Sequence, residues 1–258
     1  SLDVAAVAVA PDERRPLLPR EPIEDPGPWL RDALQGLAAD EPDIAELLVV
    51  SLLSAQAGLA KGSLAYELAV TGGTTHRVVV DPDRVRDELP GAGPTDARVA
   101  GPLAALVPLV AGGAGRRLPG VQVQGRRHLR RLLKARRTPL GLAELAAAGI
   151  APSPGLLLTV LARAVEPRWA ARRHPLAVDI ASEGSDRWRV VASGDGPLAI
   201  VPAGADGPPA SAVLHTSAHR LAAVLAGTAA PADASVEGDM RDVRTLLSWL
   251  DRAQRHQA

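Results

Sequence analysis

The pattern of residues 64–133 recurs at 176–247, and a repeat of that length commits each half of the chain to one copy of the same folded unit. LAYELA at 64–69 matches LAVDIA at 176–181, and THRVVV at 75–80 matches RWRVVA at 187–192, both at a step of 112 residues. DARVAGPLAALVPLVAG at 96–112 matches SAVLHTSAHRLAAVLAG at 211–227 at a step of 115. GVQVQG at 120–125 matches DASVEG at 233–238 at a step of 113, and RRHLRRLL at 126–133 matches 240–247 at 114. The step drifts only where turns fall, which chance similarity would not do.

Within each copy the periods spell out an order of elements. In the second, an apolar helix over 154–165 follows Ser153 as cap, and strands follow at 176–181, 187–192, 197–202 and 210–215. A helix over 216–227 takes Thr216 as its N-cap and Gly227 as its stop; a strand over 232–238 and an amphipathic helix bearing Val243, Leu246, Leu247 and Leu250 close the copy. Leu176, Val178 and Ile180 alternate with Ala177 and Asp179, the mark of a strand with one apolar face. The first copy is less regular: DPDRVRDELPGAG follows its second strand, has no Asp-Gly turn and hides the third strand.

The expected fold class is α+β, with two tandem units, each a mostly antiparallel twisted sheet of about five strands covered by helices. The expected division is 1–40 as an extended lead-in and short helix, 41–137 as the first unit, 138–153 as a connector with a short helix, and 154–258 as the second unit. The lead-in mixes Pro with both charge signs over 11–28, and its helix carries Leu30, Leu34 and Leu37 and ends near Asp40. A more strongly apolar helix follows from Ile44 to Leu59.

The second copy resembles the sterol-carrier-protein-2-like family in the form common in actinobacteria. The resemblance rests on LLLTVLARAVEPRWAARRHPLAVDI at 156–180, RWRVVASGDGPLAIVPAG at 187–204, the helix end LAG at 225–227 and VEGDMRDVRTLLSWLDRAQ at 236–254. The chain then reads as a tandem pair with a diverged first copy. The resemblance implies an apolar cavity between sheet and helices for a fatty acyl chain, a sterol-like molecule or another lipid. Its expected lining is Leu157, Leu161, Trp188, Val190, Leu221, Leu225, Leu246 and Leu250. The family is also appended to mycothiol-dependent maleylpyruvate isomerases, whose chemistry belongs to a separate metal-binding helical domain. Here the first histidine is His76, so no N-terminal histidine cluster matches that domain.

Composition narrows the chemistry. The chain has 258 residues, 47% of them hydrophobic, with no Phe, so its interior must be built from Leu, Val, Ala and Ile. It contains no Cys, which excludes disulfides, thiolate metal sites and a cysteine nucleophile. The start lacks a basic lead and no window approaches 18 uncharged apolar residues, so neither a signal peptide nor a membrane span is expected, and the expected location is cytoplasmic. No phosphate-cradling Gly loop, G-x-S-x-G elbow or H-E-x-x-H helix occurs, so no cofactor and no catalytic constellation is read.

The charges balance at 29 basic and 29 acidic, but unevenly along the chain. No acidic residue falls between 97 and 143, where Arg126, Arg127, Arg130, Arg131 and Lys134 make the first copy's closing helix basic. A solvated face is one reading; a surface for an anionic headgroup or an acidic protein is the other. Nucleic acid is the weaker partner, because the stretch has no aromatic residue for stacking. His215 and His219 have metal-ligand spacing, but His215 falls at a strand end, so no metal is expected there. The readings are therefore non-enzymatic binding or carriage of a hydrophobic small molecule, an interaction module using the basic helix, or an accessory or catalytic protein of small-molecule metabolism.

Overall fold

The computed structural model describes residues 27–58, 63–81, 84–110, 119–125, 141–147, 153–170, 175–183, 186–194, 196–204, 207–230 and 233–255. The first half forms α1 (Gly27–Asp40), α2 (Pro42–Gly58), β1 (Leu64–Val70), β2 (Thr75–Asp81), β3 (Arg84–Glu88), β4 (Ala97–Gly101), α3 (Leu103–Val110) and β5 (Gln122–Gln124). After the short α4 (Leu142–Ala147) come α5 (Pro154–Ala164), α6 (Pro167–Ala170), β6 (Leu176–Glu183), β7 (Trp188–Ala192) and β8 (Ala199–Pro202). The second half closes with β9 (Ala212–Ser217), α7 (Ala218–Leu225), β10 (Ala234–Gly238) and α8 (Met240–Arg255).

The two sheets have the same strand order, β3-β2-β1-β4-β5 and β8-β7-β6-β9-β10. In each, the central pair is parallel and the other pairings are antiparallel. The repeat read from sequence also holds in register. Leu64 lies opposite Val80 and Leu176 opposite Ala192, both advanced by 112. Tyr66 lies beside Ala97 and Val178 beside Ala212, advanced by 112 and 115. Arg98 opposite Gln124 becomes Val213 opposite Glu237, advanced by 115 and 113. The chain is α+β, built as two units of one topology.

Local chemistry explains these elements. In β1 every second residue is buried, as the sequence alternation requires. In β6, Ala177 and Asp179 are buried as well as Leu176, Val178 and Ile180, so the face expected to be polar is covered too. The hidden third strand of the first unit is β3, an edge strand held by charge instead of apolar alternation: Arg86 reaches Asp81 at 2.8 Å, and Glu88 pairs with Arg77. A glycine stands at the end of the last strand of each sheet. Gly125 and Gly238 have φ of 72° and 87°, and a Cβ on either would collide with the carbonyl of Asp96 or Ser211.

One expected cap is displaced. Thr216 is still in β9, paired beside Ser182, and its hydroxyl donates to the Asp233 carbonyl at 3.1 Å. The parallel pairing with β6 carries the strand one residue further, so Ser217 occupies the N-cap of α7. Gly227 ends that helix with φ of 65°, as expected.

The helices of the two halves meet in a shared core. α1 buries Leu30, Leu34 and Leu37 and packs on α2, α3 and α5; α4 packs on α7. α2 is apolar around most of its circumference, which suits a helix with neighbours on several sides: it touches α1, α3, α5 and β2. A single buried hydrophobic cluster runs through both halves.

Candidate functional site

A groove of about 640 Å³, lined mainly by apolar side chains, lies between α2, α5 and the β7–β8 edge. Its construction begins with Gly155 in the first turn of α5. A Cβ there would stand 2.5 Å from Trp188 Cζ2, so only glycine lets the indole lie against the helix. Trp188, the first residue of β7, thereby becomes a half-buried wall. Leu156, Thr159 and Ala162 of α5 extend that wall, with Leu198 and Ile200 beside them from the approach to β8 and from β8 itself. Ile44 and Leu47 of α2 form the opposite side, and Leu47 is 47% exposed, an unusual setting for leucine on a helix otherwise committed to the core.

The rim is polar. Arg163, near the end of α5, donates to Glu41 at 2.7 Å and lies 2.9 Å from Asp40. The Glu41 hydrogen bond, helped by the Asp40 charge, outweighs partial burial and holds the guanidinium more firmly protonated than usual. This tie also joins the end of α1 to α5, one half of the chain to the other.

Of the eight residues expected to line a cavity, Trp188 stands in the groove. Leu157, Leu161, Val190, Leu221, Leu225, Leu246 and Leu250 are buried in the hydrophobic cluster between the second sheet and its helices. The sequence reading missed Leu156 and Thr159 on the neighbouring face of the same helix, and Ile44 and Leu47 from the other half. The available signal was the nearly all-round apolarity of 44–59, which calls for more partners than one unit supplies. Arg126, Arg127, Arg130, Arg131 and Lys134 lie outside the described residues.

A second, polar cleft of about 710 Å³ opens where β6 and β9 end. Ser182, Glu183, His215, Thr216, Arg220 and Asp233 line it. Across it Arg220 lies 3.4 Å from Asp233, and His215 lies 3.3 Å from Glu237. His215 belongs to β9 and His219 to α7, and among the described residues no group of three His, Cys, Asp or Glu side chains could hold a metal.

One partly buried polar cluster has the residue types of a relay. Glu46 on α2 accepts from the Thr74 amide at 2.9 Å and from the Thr74 hydroxyl, while His76 Nε2 lies 3.2 Å from Glu46 and 2.6 Å from the Thr74 hydroxyl. Burial would raise the Glu46 carboxyl, but the Thr74 hydrogen bonds and His76 together hold it below the ordinary range. A hydroxyl–imidazole–carboxylate relay needs its two partners on opposite ring nitrogens. Here Glu46 and Thr74 both face Nε2, and these contacts clamp α2 to β2.

These features define an α+β protein of two like units whose apolar groove is shared between its halves. No protein-family model and no curated protein matches the chain. Among solved structures, the chain is similar to a "UbiJ-SCP2 Ubiquinone synthesis protein" at 17% identity and TM-score 0.27, covering 44% of this chain and 88% of that one. It is also similar to the inverting sec-alkylsulfatase Pisa1 from Pseudomonas sp. at 15% identity and TM-score 0.36, covering 58% of this chain and 24% of that one. The methyltransferase MycE of the mycinamycin biosynthetic pathway matches at 16% identity and TM-score 0.34, covering 62% of this chain and 50% of that one. Likenesses this slight carry no function over to this chain. No helix among the described residues is long and apolar enough to cross a membrane.

Proposed function

We propose that this protein is a non-enzymatic, cytoplasmic carrier of a hydrophobic small molecule, which it holds in the groove between Leu47 and Trp188. The observation that carries this reading is the groove itself: about 640 Å³, walled by leucine, isoleucine and tryptophan, and open at a polar rim. That volume falls in the range of small-molecule sites. Burying an alkyl chain contributes about 0.8 kcal/mol per methylene, so a chain of eight to ten carbons contributes about 6–8 kcal/mol toward association without any fixed polar partner. The order of elements in 154–258, which resembles a sterol-carrier-like unit, supports the same reading. The groove draws Ile44 and Leu47 from the first half, so the lipid site belongs to the pair of units together.

Native mass spectrometry of gently purified protein tests the idea directly, followed by uptake of a fluorescent alkyl probe by the delipidated protein. The expected result is stoichiometric uptake that falls several-fold in Leu47→Asp, which changes an exposed residue. Absence of both copurified ligand and uptake, or uptake indifferent to Leu47→Asp, overturns the proposal.

A further inference from the structure

The charges at the rim of the groove bear on which amphiphile it accepts, a question that rests on the carrier reading above. Among the described residues lining the groove, the charged ones are Glu41 and Arg163. Arg163 is the natural anchor for a ligand carboxylate, as guanidinium groups bind carboxylates in a fork. Its fork is already filled, because one nitrogen lies 2.7 Å from Glu41 and another 2.9 Å from Asp40. Asp40 does not itself line the groove, but counted with the lining pair it gives the Asp40–Glu41–Arg163 cluster one net negative charge. A ligand carboxylate arriving there would have to displace both acids from Arg163 and would then face them uncompensated.

We propose that the groove selects amphiphiles with a cationic head, such as an alkylammonium, over those with a carboxylate. An ammonium meets the net charge of the Asp40–Glu41–Arg163 cluster with no rearrangement. The apolar walls hold the chain, so the head alone decides between ligands of one chain length. Because Asp40, Glu41 and Arg163 are all more than a third exposed, water screens the discrimination. It amounts to about fivefold in affinity per charge and shrinks as salt is added.

The test compares decyltrimethylammonium, decanol and decanoate by titration calorimetry at pH 7, each below its micelle concentration, at low and at moderate salt. The expected order of affinity is ammonium, alcohol, carboxylate, with the spread narrowing in salt. Asp40→Asn, outside the lining, should bring the ammonium down toward the alcohol while leaving decanol unchanged, and Glu41→Gln should narrow the ratio of ammonium to decanol affinity in the same sense. Equal binding of all three, or tighter binding of decanoate, overturns this inference and leaves the groove as a lipid site. Failure of all three to bind overturns the carrier reading and this inference with it.

Discussion

Arg189 and Asp179 face one another across β7 and β6, joined through Nε to Oδ1 at 2.6 Å and through Nη2 to Oδ2 at 3.1 Å. The same guanidinium donates to the Pro208 carbonyl at 3.0 Å, and so ties the loop before β9 to the middle of the sheet. Advanced by the repeat, the counterparts are Arg77 and Glu67, which are also cross-strand neighbours. Arg77 keeps the loop anchor, donating to the Pro94 carbonyl at 3.0 Å, but takes its carboxylate from Glu88 on the edge strand. The two units thus preserve one arginine and one proline carbonyl while moving the acid from the central strand to β3.

Removing the acid in the second unit should be costly. Asp179 is 1% exposed, and Asp179→Ala leaves the buried end of Arg189 with the Pro208 carbonyl alone. Breaking one side of a buried ion pair costs about 3–5 kcal/mol. Urea denaturation at pH 7 should show a loss of that size, whereas Asp179→Leu combined with Arg189→Met should recover most of it. A single-variant loss below about 1 kcal/mol would show that the pair is replaced by water.

Acid should erode the same interaction. Burial alone would raise the Asp179 carboxyl, but the Arg189 hydrogen bonds and the charges of Arg189 and Arg187 outweigh it and hold the group below the ordinary range. A depressed folded-state value means that the stabilisation is complete above the unfolded value of about 3.9 and is lost as pH falls through the lower folded value. Stability of the parent protein should therefore fall more steeply below about pH 4 than that of Asp179→Asn, which has no proton to take up. Parallel curves in that window would refute the assignment.

What the sequence made legible follows from what its periods encode. The equivalence of the two units came through because LAYELA and LAVDIA carry the same alternation at the same step as the strands that follow them. β3 stayed hidden because RVRDE is stabilised by Arg86 with Asp81 and by Glu88 with Arg77, contacts that no apolar pattern announces. Trp188 was singled out, but the facing Ile44 and Leu47 come from a helix more than a hundred residues earlier, and one-dimensional periodicity does not say which helices of two units will meet. Leu157 and Leu161 were expected to line the cavity that the resemblance implies; they are buried in the core, while Leu156 and Thr159, on the neighbouring face of α5, line the groove.

Backbone geometry at the ends of the units makes a paired prediction. Gly125 and Gly238 both have positive φ and both lie where a Cβ would meet a carbonyl, that of Asp96 in one unit and that of Ser211 in the other. Alanine at either site must bear a left-handed backbone, at about 1–2 kcal/mol, and must also push the loop that precedes β4 or β9. Each variant should lose at least that much in thermal or urea unfolding, by similar amounts. A loss confined to Gly238→Ala would mean that the first unit's loop can yield.

The tightest test of how the groove is built joins Gly155 to Trp188. A methyl at 155 would lie 2.5 Å from Cζ2 and 2.6 Å from Cε2 of the indole. The Trp188 backbone has nowhere to retreat, since it is paired with Ile180 on one side and Pro202 on the other. The indole must therefore swing off the helix and into the space that Leu156 and Ile200 share with it. Overpacking of this kind costs about 1–3 kcal/mol, offset by up to ~1 kcal/mol from the better helix propensity of alanine. Gly155→Ala should accordingly remain folded, with a modest loss in urea stability, but take up an alkyl probe far less well. Adding Trp188→Leu should restore uptake, because the smaller side chain clears both the new methyl and the groove. If Gly155→Ala leaves uptake and stability as they were, the indole is not the wall of the site.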